Sequence, residues 1–498
     1  MTSESSTLSH RNRSASGVPG LDNILHGGFI SHRLYLVDGD PGAGKTTLSL
    51  QYLLEGVRAG ERCLYITLSE TKDELLAGAR SHGWSLDGIE IMELTSNQED
   101  LDGEGQITMY YPSEVELNET TKKVLDVVAK LNPSRVVFDS LSEMRLLAQS
   151  SLRYRRQILA LKQFFIGRHC TVILLDDRTS EGSDLHLQSI AHGVISLEQM
   201  APVYGAARRR LRVMKSRGTD FRGGYHDFTI TCGGIEVFPR LVASEHSEPF
   251  DRGHIKSGVT ALDVLLGGGL DRGTSTLLMG PAGSGKSTIA VQYAVSAADR
   301  GDHSVIFAFD ESKATLEART RGLGITIKEG SAAGQVRIQQ IDPAELSPGE
   351  FAHRVQDAVE RFHARVIVID SLNGYMNAMP DEQYLTAQLH ELLTYLGRHG
   401  VTTLMVVAQH GMLGTNMSSP VDTSYLADSV VLLRYFEYAG KVKKAISVVK
   451  KRSGAHEASI RELRFDERGI HLSEPLQEFR GILTGVPVQI DPSNRNEC

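Results

Sequence analysis

Short runs of Val, Ile and Leu alternate along this chain with longer amphipathic stretches. In the first half the apolar runs are RLYLVDG from Arg33, CLYITL from Cys63, RVVFDS from Arg135 and TVILLDD from Thr171, with a helical pattern opening at Thr46. Residues that are apolar at consecutive positions, rather than at every second one, belong to strands buried on both faces. The pattern therefore predicts a mostly parallel sheet covered by helices, an α/β fold.

The pattern occurs twice. GVPGLDNILHGGF from Gly17 returns as GVTALDVLLGGGL from Gly258, an offset of 241 that also carries Gly39 onto Gly280, Lys45 onto Lys286 and Glu70 onto Glu311. Further on, Asp139 answers to Asp370 at 231 and Lys215 to Lys450 at 235, which puts the length changes in connecting loops. Two tandem domains are expected, 13–242 and 255–487, joined by a polar linker at 243–254 and flanked by tails at 1–12 and 488–498.

Composition narrows the classes. In 498 residues, 41% are apolar, enough for more than one core, and 53 basic against 61 acidic residues give a net charge of -8, which argues against a generally basic nucleic-acid binder. Cys63, Cys170, Cys232 and Cys498 are too scattered for a disulfide framework or a paired-cysteine metal site, so a reducing, cytoplasmic setting is expected. The opening MTSESSTLSHRNR lacks the apolar core of a signal peptide and no run approaches ~18 apolar residues, so neither secretion nor a membrane span is expected.

The chemistry lies in two glycine-rich turns. GDPGAGKT from Gly39 and GPAGSGKS from Gly280 both satisfy GxxxxGK[ST] between a strand and a helix. Gly39, Gly42, Ala43 and Gly44, and likewise Gly280, Ala282, Gly283, Ser284 and Gly285, let backbone N–H groups converge on phosphate oxygens. Lys45 and Lys286 reach the terminal phosphates, Thr46 and Ser287 hold Mg²⁺, and Thr47 and Thr288 continue the helix whose positive end faces the anion. Asp139 and Asp370, each ending an apolar strand, are the acidic residues such a site needs for its magnesium. Glu70 and Glu311, just past the second strand of each copy, are candidate bases for the attacking water, with Asp310 a further carboxylate in the second copy. A competing reading makes these carboxylates caps of the helices that follow. The run RRRLRVMKSR from Arg208 reads on its own as a solvated edge strand or a nucleic-acid contact.

From about Gly17 to Pro487 the chain resembles the KaiC family of double-domain RecA-like ATPases: the two P-loops, the segments FDSLSEMR and IDSLNGY, and the late MKSRGTD and VKKRSGAHE carry the likeness. The resemblance implies tandem RecA-like domains that bind ATP and Mg²⁺, and a homohexameric ring with nucleotide between subunits. It implies that Lys215 and Arg217, and Lys450 and Arg452, extend toward a neighbour's γ-phosphate, with Ser216 and Lys451 also counted as nucleotide-binding, and that Ser81, Gly218, Thr219, Phe221 and Thr231 lie about the first nucleotide's base and sugar. Leu323 stands where some relatives have an aromatic. Clock members phosphorylate a Ser-Thr pair in the second domain. The counterpart here is Ser424-Tyr425 beside Thr423, so serine/threonine autokinase activity is expected on Ser424 or Thr423 without a dual-site cycle. Relatives commonly carry paired glutamates where this chain has Ser69-Glu70 and Asp310-Glu311. DPAELSPGEF from Asp342 is similar to homologues outside the cyanobacterial clock, and LQEFRGILTGVP to the family's regulatory loop. A KaiB-like protein or a signalling histidine kinase is the implied partner. Two alternatives stay open, a RecA-like DNA-dependent ATPase and a nucleotide-gated scaffold with little turnover.

Overall fold

The computed structural model describes residues 13–94, 112–148, 150–178, 185–202, 205–327, 334–377, 384–409, 425–484 and 487–489. The chain forms two compact units, Met1–Arg240 and Leu241–Cys498. Each holds one nine-stranded sheet. In the first the strands are β1 (Leu34–Gly39), β2 (Cys63–Thr67), β3 (Ile89–Glu93), β4 (Arg135–Asp139), β5 (Thr171–Asp177), β6 (Gly193–Met200), β7 (Arg208–Ser216), β8 (His226–Thr231) and β9 (Gly234–Phe238). In the second they are β10 (Ser275–Gly280), β11 (His303–Ala308), β12 (Val336–Gln340), β13 (Ala364–Asp370), β14 (Thr402–Ala408), β15 (Ser429–Tyr438), β16 (Lys441–Lys451), β17 (Ile460–Asp466) and β18 (Gly469–Pro475). The spatial order is 3-2-4-5-1-6-7-8-9 in one and 12-11-13-14-10-15-16-17-18 in the other. Adding nine to every number of the first order yields the second, so the repeat in sequence is a repeat in topology. The fold is α/β in both, with six parallel strands followed by three antiparallel ones.

The consecutive apolar residues do what their pattern requires. Along β1, Tyr35 and Val37 enter the core on one face while Leu34 and Leu36 enter the core on the other, and β2, β4 and β5 divide in the same way. In the second unit Leu277, Phe307 and Ile369 face one core and Leu278, Ile306 and Val368 the other. The antiparallel strands are different in kind. On β7 only Leu211 and Val213 are buried among nine residues, so it gives no apolar run. It is nonetheless an interior strand, paired with β6 on one side and β8 on the other, which corrects its reading as a solvated edge.

The polar stretch after the first unit packs onto the second. Leu241 and Ala243 join its core, the Ala243 N–H donates to Glu391 at 3.1 Å, and Phe250 lies against Gly273 and Gly400. Among the described residues no helix is long and apolar enough to cross a membrane.

Candidate functional site

In each unit β1 or β10 ends in a tight loop whose last glycine opens a helix. Gly44 (φ 101°) precedes the helix Lys45–Arg58, and Gly285 (φ 107°) precedes Lys286–Asp299. Both stand in the left-handed region that a side chain disfavours. Gly42 and Gly283 are left-handed as well, at 77° and 73°. The close approach also needs glycine: a Cβ on Gly39 would come 2.5 Å from the Leu197 carbonyl oxygen, and one on Gly280 2.4 Å from that of Leu433. The first helical N–H groups are thereby left facing out of the loop, the arrangement that receives an anion.

The lysines sit inside their loops. Lys45 Nζ donates to the Gly39 and Asp40 carbonyls at 3.0 and 2.9 Å and pairs with Asp177 at 2.7 Å. Lys286 Nζ donates to the Pro281 carbonyl at 2.7 Å. Burial pushes Lys286 down to about 8, against the pull of Asp370. Position 408, which pairs with Gly280 as Asp177 pairs with Gly39, is Ala408. Ala43 and Ser284 are fully buried within the loops, while Thr288 is buried on the helix behind.

Behind each loop lies a hydroxyl and a carboxylate. Thr46 donates to Asp139 at 3.2 Å, Tyr65 to the same oxygen at 2.5 Å, and Ser287 donates to Asp370. Burial raises both Asp139 and Asp370 above the usual carboxylate range, opposed by these hydroxyls. A hydroxyl beside a carboxylate supplies the hard oxygen donors that Mg²⁺ takes alongside phosphate oxygens, and the buried Ser284 hydroxyl has no partner among the described residues, so these residues fit Mg·ATP.

The candidate bases are in place but held differently. Glu70 follows β2, where its backbone is fixed by the Thr67 hydroxyl, and its carboxylate has no partner among the described residues. Burial, with Asp139 and Glu74 adding, raises it. The cap of the next helix is Thr71, in a reciprocal capping box with Glu74, and Ser312 plays that part in the second unit. The capping reading thus belongs to their neighbours. Glu311 is in a two-bond ion pair with Arg319, at 3.2 and 2.8 Å. Asp310 accepts from Ser371.

The remaining residues lie elsewhere. Lys215 pairs with Val194 and Ser216 with Gly193, level with Leu36 and Tyr35 rather than with Gly39, so the β7 end lies toward the start of the P-loop strand, roughly 10–15 Å along it at ~3.3 Å per residue. Lys215 there donates to the Gln188 carbonyl and Arg217 to that of Ser189 at 2.8 Å. Lys450 and Arg452 repeat this on the Ala427 and Tyr425 carbonyls, at 2.7 and 3.0 Å. Lys451 parts from them: its side chain, 2% exposed, pairs with Asp271 at 3.2 Å and donates to Leu266 and Gly269. Thr219 accepts from Arg13 at 2.8 Å and Phe221 packs on the first core. Ser81 and Thr231 come together, since His82 Nδ1 lies 2.9 Å from the Thr231 carbonyl oxygen, with the Trp84 ring tilted against that of His82. Thr423 and Ser424 lie outside the described residues.

Three residues with a part in these sites escaped sequence reasoning: Tyr65, Asp177 and Arg319. Asp177 closes the apolar run TVILLDD, where a polar end is the only signal, whereas Tyr65 lies inside the run CLYITL and gives none.

A family model described as "ATPase: KaiC" matches residues 14–242 and 255–477. Among curated proteins the chain is 25% identical to the circadian clock oscillator protein KaiC of Acaryochloris marina over 492 residues, covering 96% of this chain and 92% of that one. It is 26% identical to the circadian clock protein KaiC3 of Synechocystis, covering 95% and 94%, and 26% identical to the KaiC of Synechococcus elongatus, covering 96% and 92%.

Proposed function

The chain belongs to the KaiC family of ATPases, and from that premise we propose that it is an ATP-driven ring. It binds Mg·ATP in both units, hydrolyses it at seams between copies of itself and phosphorylates its own second unit. The observation that carries this reading is the separation of each P-loop from the cations at the far end of its sheet. Lys215 with Arg217, and Lys450 with Arg452, do not complete their own unit's phosphate site, whereas a neighbour's copies complete it. A cation supplied in trans stabilises charge on the transferring phosphoryl and makes turnover depend on assembly.

Within the site, Lys45 and Lys286 neutralise the terminal phosphates, and the helix N-termini bind them through backbone N–H groups. Thr46 with Asp139, and Ser287 with Asp370, would hold Mg²⁺, which would offset the negative charge of the phosphates. Glu70 orients the attacking water in the first unit, and Glu311 is the carboxylate that stands for it in the second. Ser81 and Thr231 serve the base and sugar of the first nucleotide, and Thr423 or Ser424 receives the phosphoryl group in the second unit. Output passes to a KaiB-like protein or a histidine kinase that reads the nucleotide state.

The test is sedimentation with and without ATP alongside phosphate release. The wild type assembles with ATP, and turnover per chain rises with protein concentration. Replacing Lys215 and Arg217 by Ala lowers turnover at least tenfold at unchanged nucleotide binding, the loss expected of a trans cation. Turnover per chain that is independent of concentration in a monomer sinks the ring. Phosphopeptide mapping after ATP incubation checks Thr423 and Ser424, and a chain without phosphate removes the kinase.

A further inference from the structure

Arg319 has no counterpart in the first unit. It stands eight residues beyond Glu311 on the helix Lys313–Arg321, and the offset that carries Glu70 onto Glu311 carries Gly78 onto Arg319. Its Nε and Nη2 donate to the two oxygens of Glu311 at 3.2 and 2.8 Å, and its Nη1 donates to the Thr288 hydroxyl at 3.0 Å. The guanidinium is therefore pinned from both sides, by the candidate base and by the P-loop helix one residue past Ser287. A carboxylate orients water by accepting a hydrogen bond from it, along a direction that the carboxylate plane sets. A two-bond guanidinium pair engages both oxygens and fixes that plane. Glu70, with no partner among the described residues, is free of this constraint, and a Cβ built on Gly78 meets nothing within 4 Å.

We propose that Arg319 is a positioning residue that holds Glu311 away from the attacking water and slows hydrolysis in the second unit relative to the first. This rests on the ATPase reading above and deepens it, because it makes the two sites unequal by construction.

The experiment uses the full chain carrying Glu70→Gln, so that phosphate release reports the second unit. Arg319→Ala then raises kcat about tenfold, the ~1.4 kcal/mol scale of releasing one charge-assisted pair, while a fluorescent ATP analogue binds within about twofold of its former affinity. Arg319→Lys, which keeps the charge and loses the fork, gives an intermediate rate. Adding Glu311→Gln to Arg319→Ala removes the gain, because the gain is routed through that carboxylate, while the intermediate rate of Arg319→Lys at an unaltered melting temperature separates positioning from a structural role. In the reverse direction, Gly78→Arg in a Glu311→Gln chain slows the first unit several-fold. The proposal is overturned if Arg319→Ala leaves turnover unchanged or lower with the analogue still bound and thermal melting unaltered, or if the gain survives Glu311→Gln. Failure of the analogue to bind the second unit sinks the ATPase reading itself, and this inference with it.

Discussion

The two units share a topology strand for strand, yet their sites carry charge differently. In the first, Lys45 is matched by Asp177 and Glu70 stands unpaired among the described residues; in the second, Ala408 takes the place of Asp177 beside the loop of Lys286, and Glu311 is paired with Arg319. Position 216 is a serine at the end of β7, whereas its counterpart Lys451 ties β16 to Asp271. The loop glycines face different neighbours too, Ile230 behind Gly44 and Phe465 behind Gly285. A backbone cradle depends on glycine conformation and strand order, and both repeat. The side chains that set acidity and alignment depend on single positions, and these have diverged.

The largest expected contrast is at Lys451. Lys451→Ala leaves Asp271 to His254 and the Ser453 hydroxyl and takes the lysine donor from the Leu266 and Gly269 carbonyls, so it should cost the second unit about 3 kcal/mol, against about 0.5 or less for Ser216→Ala. Denaturant unfolding followed by circular dichroism measures both, and a loss below about 1 kcal/mol at Lys451 would erase the distinction.

Next come the glycines. A Cβ on Gly285 would meet the Phe465 ring at 2.2 Å, and one on Gly44 the tip of Ile230 at 2.7 Å, a tip that rotates aside more readily than a ring. With positive φ at both, Gly285→Ala should cost about 2–4 kcal/mol and Gly44→Ala about 1–2. Equal losses would mean that the backbone angle alone matters.

The smallest contrast is acidic. His226 opens β8, fully enclosed, accepting from the Arg240 N–H at Nδ1 (2.8 Å), with Nε2 3.0 Å from the Arg222 carbonyl oxygen. Burial holds it down to about 4, while the unfolded chain takes up its proton near 6.5. Stability from this group is complete above 6.5 and is lost as pH falls toward 4, because over that interval the unfolded state binds the proton and the folded state does not. The first unit should lose about 2 kcal/mol between pH 6.5 and 5. The corresponding strand of the second unit opens on Ile460. Trp84, the chain's one tryptophan, lies in the first unit, so its fluorescence isolates the effect, and a midpoint indifferent to pH over this range would refute it.

What was legible in the sequence was local. Each P-loop occupies eight consecutive residues, and Asp139 and Asp370 announce themselves as the polar ends of apolar runs. The parallel half of each sheet followed from runs buried on both faces, while β7, with two buried residues in nine, gave no such sign and hid its interior place. Pairings across the fold were not legible. That Asp177 would meet Lys45 depends on β5 lying beside β1, and that Arg319 would meet Glu311 depends on where the helix Lys313–Arg321 begins after the strand. The resemblance groups Lys451 with its neighbours, but its place is decided by Asp271, a residue far away in sequence and unremarkable in pattern.

Each P-loop stands at one end of its sheet with the basic pair toward the other, so in the ring proposed above every chain would have a donor side and an acceptor side. Defects in such a molecule belong to junctions rather than to chains. A copy with a ruined lysine in its loop and a copy with ruined edge cations, each inert alone, should recover activity when mixed, since some junctions then bring together two intact halves.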